Sequence, residues 1–292
     1  MNRKTIFALG FFDGVHLGHQ ALLAACRQLA QANQCRVGAI TFDSHPQSLF
    51  LPDPPPLINT NDDRDALLAQ YGVEQILHLP VTKEVMSTHW RDFLDGLLEH
   101  GAAGFVCGDD FRFGCGGEGD GEKLAQYCRE KCLPLVILPE QSLDGVRIAS
   151  SHIRRLLENG QVEEADRFLG HDHILTAQVV SGRHLGRTIG TPTANMRIPQ
   201  GVVMLRHGVY QTSCCLDGKV YTAVTNIGAR PTVGGHEVRA ESWILDFSGD
   251  LYDREITLHF ERFLRPEQKF ASLEALQAQI QLDAQAARKR KE

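Results

Sequence analysis

The chain has 292 residues, 42% hydrophobic and 23% charged, with a formal net charge of −6. A length beyond one average domain of roughly 100–200 residues points to two domains, and this composition lets both bury a core. The negative charge excludes a broad nucleic-acid surface, which needs a basic excess, and no run of about 18 apolar residues exists to form a membrane span.

The basic start, Met1 to Phe7, runs into Gly10, Asp13 and His16 with no room for an apolar signal core. A cytoplasmic location is therefore expected. The eight cysteines (26, 35, 107, 115, 128, 132, 214 and 215) form no Cys-x-x-Cys pair. They read as reduced, mostly core residues of a cytosolic protein, not as a zinc site. The dense basic run Arg288-Lys289-Arg290-Lys291 reads as a frayed, solvated helix end.

Strand and helix alternate through the first half. Thr5–Leu9 is an apolar strand, and a helix from about Gly18 carries Leu22, Ala25, Cys26 and Leu29 on one face. A strand at Arg36–Phe42 leads into the proline run Asp53-Pro54-Pro55-Pro56. A helix near Asp62–Gln70, a strand at Gln75–Leu79 and a helix at Thr88–Glu99 follow, the last with Trp90, Phe93, Leu94 and Leu97 at i, i+3, i+4, i+7. A strand at Gly104–Cys107, a helix at Gly121–Lys131 and a strand at Leu135–Leu138 complete the series. This alternation predicts βαβ units, hence a Rossmann-like parallel sheet with helices on both faces. Ligands bind such sheets beyond the carboxyl ends of their strands.

A helix pair near Ser151–Asn159 and Val162–Leu169, ended by Gly160 and Gly170, closes this half, and the domain boundary is expected between residues 172 and 173. Val209–Leu216, Val220–Asn226, Glu241–Phe247 and Glu255–Phe263 then read as strands. Ile256, Leu258 and Phe260 alternate with polar neighbours, the period of a half-buried antiparallel strand. Leu273, Leu276 and Ile280 mark a last amphipathic helix with Ser272 as its N-cap. The second half is thus expected to be a small antiparallel β-barrel with a C-terminal helix, giving α/β plus β overall.

Between the first strand and helix, Gly10-Phe11-Phe12-Asp13-Gly14-Val15-His16-Leu17-Gly18-His19 forms a sharp loop. Backbone amides and the macrodipole at that helix N-terminus favour anions. His16 and His19, three apart, share a helical face if the turn is wound, and both can donate to phosphate oxygens. Their largest contribution would come as charge gathers on an α-phosphate during pyrophosphate displacement. Gly18 lets a base or phosphate approach the backbone. Taken alone, the pair also fits two surface histidines or half of a zinc site. Ser150, Ser151 and Arg154 open a later helix, where the serines either cap it or bind phosphate and Arg154 either pairs on the surface or faces β,γ-phosphates.

In the second half, glycines 182, 186 and 190 space out a loop that can wrap phosphates through its amides. Thr193 and Asn195 lie two apart, so an extended segment points both one way. Their hydroxyl and amide oxygens are hard ligands suited to Mg²⁺, or to Mn²⁺; a turn with local hydrogen bonds is the other reading. Glu241, at the mouth of a predicted strand, is by itself an ordinary surface glutamate.

The segments Phe12 to Gln20, Thr41 to Pro46, Gly108 to Gly114 and Ser150 to Arg154 resemble, in order, the prokaryotic bifunctional riboflavin kinase/FMN adenylyltransferase family. Gly186-Arg187, Gly190, Pro192 to Asn195, Gly208 to Tyr210, Asn226 to Thr232, Glu241 to Phe247, Asp250 to Tyr252 and Leu264 to Phe270 resemble its kinase module. The resemblance implies a flavoprotein that phosphorylates riboflavin with ATP to FMN, then adenylylates FMN to FAD and pyrophosphate. It implies that Gly10, Phe11, His16, Gly18, His19, Ser150, Ser151 and Arg154 hold one ATP. Asp109, Asp110 and Arg112 would then shape the flavin/ATP pocket. Gly182, Gly186, Arg187, Gly190, Thr193 and Asn195 would hold the second ATP with Mg²⁺, and Glu241 would be the base for the ribityl 5′-hydroxyl. Asp246 and Asp250 stay structural on this reading. Phe11, Ser44, Ser151 and Thr191 depart mildly from the family pattern. Two other readings compete: a nucleotidylyltransferase acting on a pantetheine or nicotinamide mononucleotide, and a flavin-binding regulator with decayed catalysis. The first lacks a Pro-Thr-Ala-Asn barrel; the second would not need the whole set His16, His19, Thr193, Asn195 and Glu241.

Overall fold

A computed structural model describes residues 4–181, 190–232 and 235–289. The chain divides into two compact units after residue 150, with residues 58–60 joining the second.

The first unit is a parallel sheet of β1 (Thr5–Leu9), β2 (Arg36–Phe42), β3 (Gln75–Leu79), β4 (Ala102–Gly108) and β5 (Leu135–Leu138), in the order β3-β2-β1-β4-β5. β1 is buried along its whole length, as its unbroken apolar run requires of a central parallel strand. The helices are α1 (Leu17–Ala32), α2 (Asn61–Gln70), α3 (Lys83–Met86), α4 (Trp90–Glu99) and α5 (Gly121–Lys131). Leu94 and Leu97 of α4 and Leu124 and Tyr127 of α5 close one core with Phe7, Phe105 and Phe113. Asp120 caps α5 by accepting from the Lys123 amide at 2.9 Å. Strand order reverses at β1, so the crevice between the carboxyl ends of β1 and β4 is the switch point where such sheets take ligands. A two-stranded hairpin, β6 (Ser142–Leu143) and β7 (Val146–Arg147), turning at Asp144-Gly145, was not visible as a pattern in the sequence.

The second unit opens on α6 (Ser150–Glu158, from residue 151) and α7 (Val162–Leu169). A closed barrel follows, made of β8 (His173–Val180), β9 (Ala194–Arg197), β10 (Gly208–Leu216), β11 (Lys219–Thr232), β12 (Gly235–Ile244) and β13 (Glu255–Arg265). β12 begins six residues before the expected strand, which puts Glu241 inside the ladder and not at its mouth. The long β11 supplies the partner that extends it, each residue from Thr232 to Ala223 pairing across.

The last helix, α8 (Leu273–Arg288), is capped by Ser272, whose hydroxyl accepts from the Ala275 amide at 3.2 Å. Its buried stripe differs from the expected one. Leu273 is 50% exposed, while Asp283, Ala284 and Ala287 are buried. The reason is an ion pair: Arg265 of β13 grips Asp283 with Nη2 at 2.8 Å and Nε at 3.0 Å, and the two alanines let the helix seat on Val209, Val224 and Leu245. Arg288 at the helix end is likewise held, by a two-pronged pair with Asp246 at 2.7 and 2.9 Å. Both side chains stay more than half exposed, so this is a surface pair on a solvated helix end. Arg290 and Lys291 lie outside the described residues. Because removing one partner strands a buried charge, Asp283→Ala should lower the stability of the second unit by about 3 kcal/mol in urea unfolding.

Of the eight cysteines, all free, only Cys26, Cys107, Cys128 and Cys214 are buried, so half and not most are core residues. Burial pushes the Cys26, Cys128 and Cys214 thiols up to about 11 and Cys107 to about 12, leaving them protonated and unreactive. Burial also pulls His173, the first residue of β8, down to about 3, with His171 adding repulsion. The unfolded chain then binds a proton near pH 6.5 that the folded barrel refuses until about pH 3. Barrel stability should be flat above pH 6.5 and fall on acidification by up to about 1.4 kcal/mol per pH unit from this group. Denaturation midpoints of the chain and of His173→Phe, compared from pH 7 to 5, check this; equal slopes would remove His173 as the cause.

Candidate active sites

The loop leaving β1 is built from unusual backbone. Phe12, Gly14 and Val15 have φ of 57°, 79° and 40°. Glycine accepts such an angle freely, whereas a β-branched valine is strained there, and strain of this kind gathers at functional sites. A 3-10 turn at Asp13–Val15 winds the chain into position, and His16 becomes the N-cap of α1. Its Nδ1 accepts from the His19 amide at 3.3 Å, so its Nε2 carries the proton it can donate outward. The two imidazoles stack, centroids 3.6 Å apart and 11° from parallel. A Cβ at Gly18 would lie 3.3 Å from the His16 ring, so this glycine makes room for the histidine as well as for a ligand.

Below the loop, the Phe11 carbonyl accepts from Thr41 Oγ1 at 2.7 Å and from Arg64 Nη1 at 3.3 Å. The Phe11 ring lies against His45 at 5.3 Å and under the Arg64 guanidinium at 5.3 Å. His19 is held well below the usual histidine value, by burial first and then by the neighbouring His16 and Arg64. It is neutral at pH 7 before any anion arrives.

These groups border a cavity of about 400 Å³ lined by Gly10, Phe11, His16, Gly18, His19 and Ser150, and by Asp109, Asp110 and Arg112 beyond β4. All nine are residues the sequence singled out. Ser150 does not simply cap a helix: its hydroxyl donates to the Asp13 carbonyl at 3.0 Å and ties itself to the loop after β1. Ser151 is exposed and Arg154 half-buried on α6, in the second unit. The sequence missed Arg147, which lines the same cavity and pairs with Asp110 at 2.8 Å and Glu140 at 2.5 Å. It sits on the hairpin that no periodicity announced.

The second cavity, about 280 Å³, lies in the second unit and is lined by Pro192, Thr193, Ala194, Asn195, Ser242 and the stretch 247–252. Asn195 on β9 is buried; its Nδ2 donates back to the Thr193 carbonyl at 3.2 Å, while its Oδ1 is buried with no hydrogen-bond partner among the described residues. A buried oxygen with no hydrogen-bond donor is the kind of group a hard cation satisfies, so the pair fits Mg²⁺. Sheet register aligns Glu241 directly opposite Asn195 on one side and Asn226 on the other. Ser242 joins a buried hydroxyl chain, bonding Thr225 at 2.7 Å, which bonds Thr212 at 2.6 Å. Gly190 turns with φ 73° just before the site, and Asp250 lines the cavity while accepting the Tyr252 amide at 2.9 Å. Gly182, Gly186 and Arg187 lie outside the described residues. Among the described residues no group of three or more His, Cys, Asp or Glu is placed to hold a metal.

Comparison with known proteins gives the same two parts. The FAD synthetase family model matches residues 1–152 and the riboflavin kinase model residues 169–291. The bifunctional riboflavin kinase/FMN adenylyltransferase of Pseudomonas fluorescens is 37% identical, over 98% of this chain and 93% of its own length. That of Escherichia coli K12 is 36% identical over 97% of this chain and 91% of its own length. A crystal structure described as a macrolide-efflux protein from Streptococcus pneumoniae superposes with TM-score 0.90 at 28% identity, covering 100% of this chain and 96% of that one. No helix among the described residues of this chain is long and apolar enough to cross a membrane.

Proposed function

We propose residue roles from the premise that this chain belongs to the bifunctional riboflavin kinase/FMN adenylyltransferase family. It phosphorylates riboflavin with ATP to FMN, and adenylylates FMN with a second ATP to FAD and pyrophosphate. The observation that supports the assignment of roles is that each unit has its own cavity, each lined by its own motif. We take the functional boundary between Asp172 and His173. The barrel begins at His173, and the helix pair before it carries Ser151 and Arg154, which the family resemblance assigns to adenylyl transfer.

In adenylyl transfer, a phosphate oxygen of FMN attacks the α-phosphorus of ATP; that O–P bond forms and the bond to the β-phosphate breaks. The attacking phosphate monoester is already largely ionised near neutrality, its second pKa being about 6, so no general base is needed. The protein's task is to hold both phosphates in line and stabilise charge on the α-phosphate. His16 donates through Nε2, His19 from the next turn, and the amides at the α1 N-terminus assist. Ser150, Ser151 and Arg154 hold the β,γ-phosphates as pyrophosphate leaves. Asp109, Asp110 and Arg112 border the flavin end, with Arg147 as a fourth member.

In the kinase, the ribityl 5′-hydroxyl oxygen bonds to the γ-phosphorus, the bond to ADP breaks and Glu241 accepts the hydroxyl proton. Thr193 and Asn195 would hold Mg²⁺, which neutralises phosphate charge when bound. Gly182, Gly186, Arg187 and Gly190 wrap the phosphates. Small molecules are the partners on this reading, without nucleic acid. The cytoplasm is the proposed compartment, which eight free thiols support.

Incubation with riboflavin, ATP and Mg²⁺ followed by chromatography should give FMN and then FAD. Asn195→Ala should raise the Mg²⁺ concentration required for FMN formation by about 10–100-fold, while FAD formation from supplied FMN keeps its Mg²⁺ dependence. Tight flavin binding without turnover would instead favour the regulator.

A further inference from the structure

Arg64 on α2 is 2% exposed, one of the largest fully buried side chains in the protein. Its Nη1 donates to the Phe11 carbonyl at 3.3 Å, and its Nη2 to the Phe42 carbonyl at 2.7 Å and to Asn61 Oδ1 at 3.0 Å. Its Nε is buried with no hydrogen-bond partner among the described residues. Every one of these acceptors is neutral. A guanidinium is charged under all working conditions, and taking it out of water without a bonded carboxylate is unfavourable. Asp65, Asp13 and Asp43 act on it electrostatically.

Its position gives that buried charge a use. Phe11 and Phe42 follow or end the neighbouring strands β1 and β2, and both line the adenylyltransferase cavity. Arg64 grips the two lips from behind. Fixing the Phe11 carbonyl also fixes the Phe11–Phe12 peptide plane, so the Phe12 amide must point the opposite way, away from Arg64. The same cation lies over the Phe11 ring, 5.3 Å from its centroid, and reaches His19 electrostatically.

We propose that Arg64 is a positioning residue for adenylyl transfer, clamping the phosphate loop through the Phe11 and Phe42 carbonyls and biasing the phosphate end of the cavity toward anions. The inference rests on the assignment of that cavity to FAD formation. It separates into a geometric part, the clamp, and an electrostatic part, the charge beside His19. His19 faces His16 from the loop and Arg64 from α2; Arg64 faces Asp13 from the turn, Asp43 after β2 and Asp65 on its own helix.

The test measures FAD formation from FMN, as kcat and KM against pH, for the unaltered chain, Arg64→Met and Arg64→Lys, with FMN formation by the barrel read in the same samples. FAD formation by the unaltered chain tests the underlying assignment independently. Arg64→Met should lower kcat about 10–100-fold with KM for ATP changed less than threefold, within the range for losing one aimed donor. It should also move the His19 inflection of kcat/KM upward by roughly 0.5–1 pH unit, since a nearby positive charge lowers the pKa of a histidine. Arg64→Lys keeps the charge but cannot fork to two carbonyls, so kcat should fall while the inflection stays. A core role alone would lower protein yield or stability without moving the inflection. Arg64→Met with kcat and inflection both unchanged overturns the proposal. If neither variant folds, Asn61→Ala, which removes one acceptor and leaves the charge, decides it: a several-fold fall in kcat supports the clamp, and an unchanged kcat overturns it.

Discussion

Glu241→Gln should form FMN about 10²–10⁴ times more slowly than the unaltered chain, the usual loss for a general base. At 1.36 kcal/mol per decade this is roughly 2.7–5.4 kcal/mol of barrier. Glutamine keeps the length and the hydrogen-bonding oxygen of glutamate but cannot take a proton, so geometry is preserved while proton transfer is lost. The register locates the effect: Glu241 stands across from Asn195, whose buried Oδ1, without a partner among the described residues, belongs to the proposed metal and ATP end. Adenylylation of supplied FMN should continue at its normal rate, because Glu241 is not among the residues lining its cavity. Chromatography after separate feeding with riboflavin and with FMN reads both steps. Undiminished FMN formation would remove Glu241 from the role.

His19→Ala should have the reciprocal effect, with riboflavin converted to FMN and stalled there. Loss of one donor aimed at developing charge typically costs about 10²–10³ in turnover. His19→Gln, which keeps an N–H of shorter reach, should recover part of it. Proton linkage adds an independent reading. In the free protein His19 is depressed below 6.5 by burial, His16 and Arg64. Bound triphosphate favours the charged imidazole, so its pKa rises on binding and ATP binding takes up protons at pH values between the free and bound pKa. Binding enthalpies in two buffers of different ionisation enthalpy should reveal this uptake in the unaltered chain and less of it in His19→Ala. Normal FAD formation by that variant would refute the assignment.

The two sites were legible in the sequence to different depths. Residues 9–19 announced a site because a strand, a glycine-bearing turn and a helix N-terminus are consecutive, and their geometry depends on neighbours along the chain. Thr193 and Asn195 were legible for the same reason, two residues apart in an extended stretch. Glu241 was not: without the family resemblance it was an ordinary glutamate, and its strand was expected to start where Glu241 in fact lies mid-ladder. Arg64 was hidden more completely. It stands among acidic residues in Asn61-Asp62-Asp63-Arg64-Asp65, where the pattern predicts only a helix near Asp62–Gln70, yet it is buried beneath the loop after β1.

What the sequence by itself determined is therefore what short-range chemistry controls. This includes the parallel β/α alternation, the alternating barrel strands, the Ser272 cap and the His16–His19 spacing. Tertiary structure alone decided the rest. It stacked the two imidazoles at 3.6 Å, aligned Asn226, Glu241 and Asn195 across three strands, and rotated the buried face of α8 toward Arg265. It also set Arg64 against carbonyls 53 and 22 residues away. Each of these depends on groups distant in the chain meeting out of water, where a missing partner is costly, and neither spacing nor periodicity encodes which partner that will be.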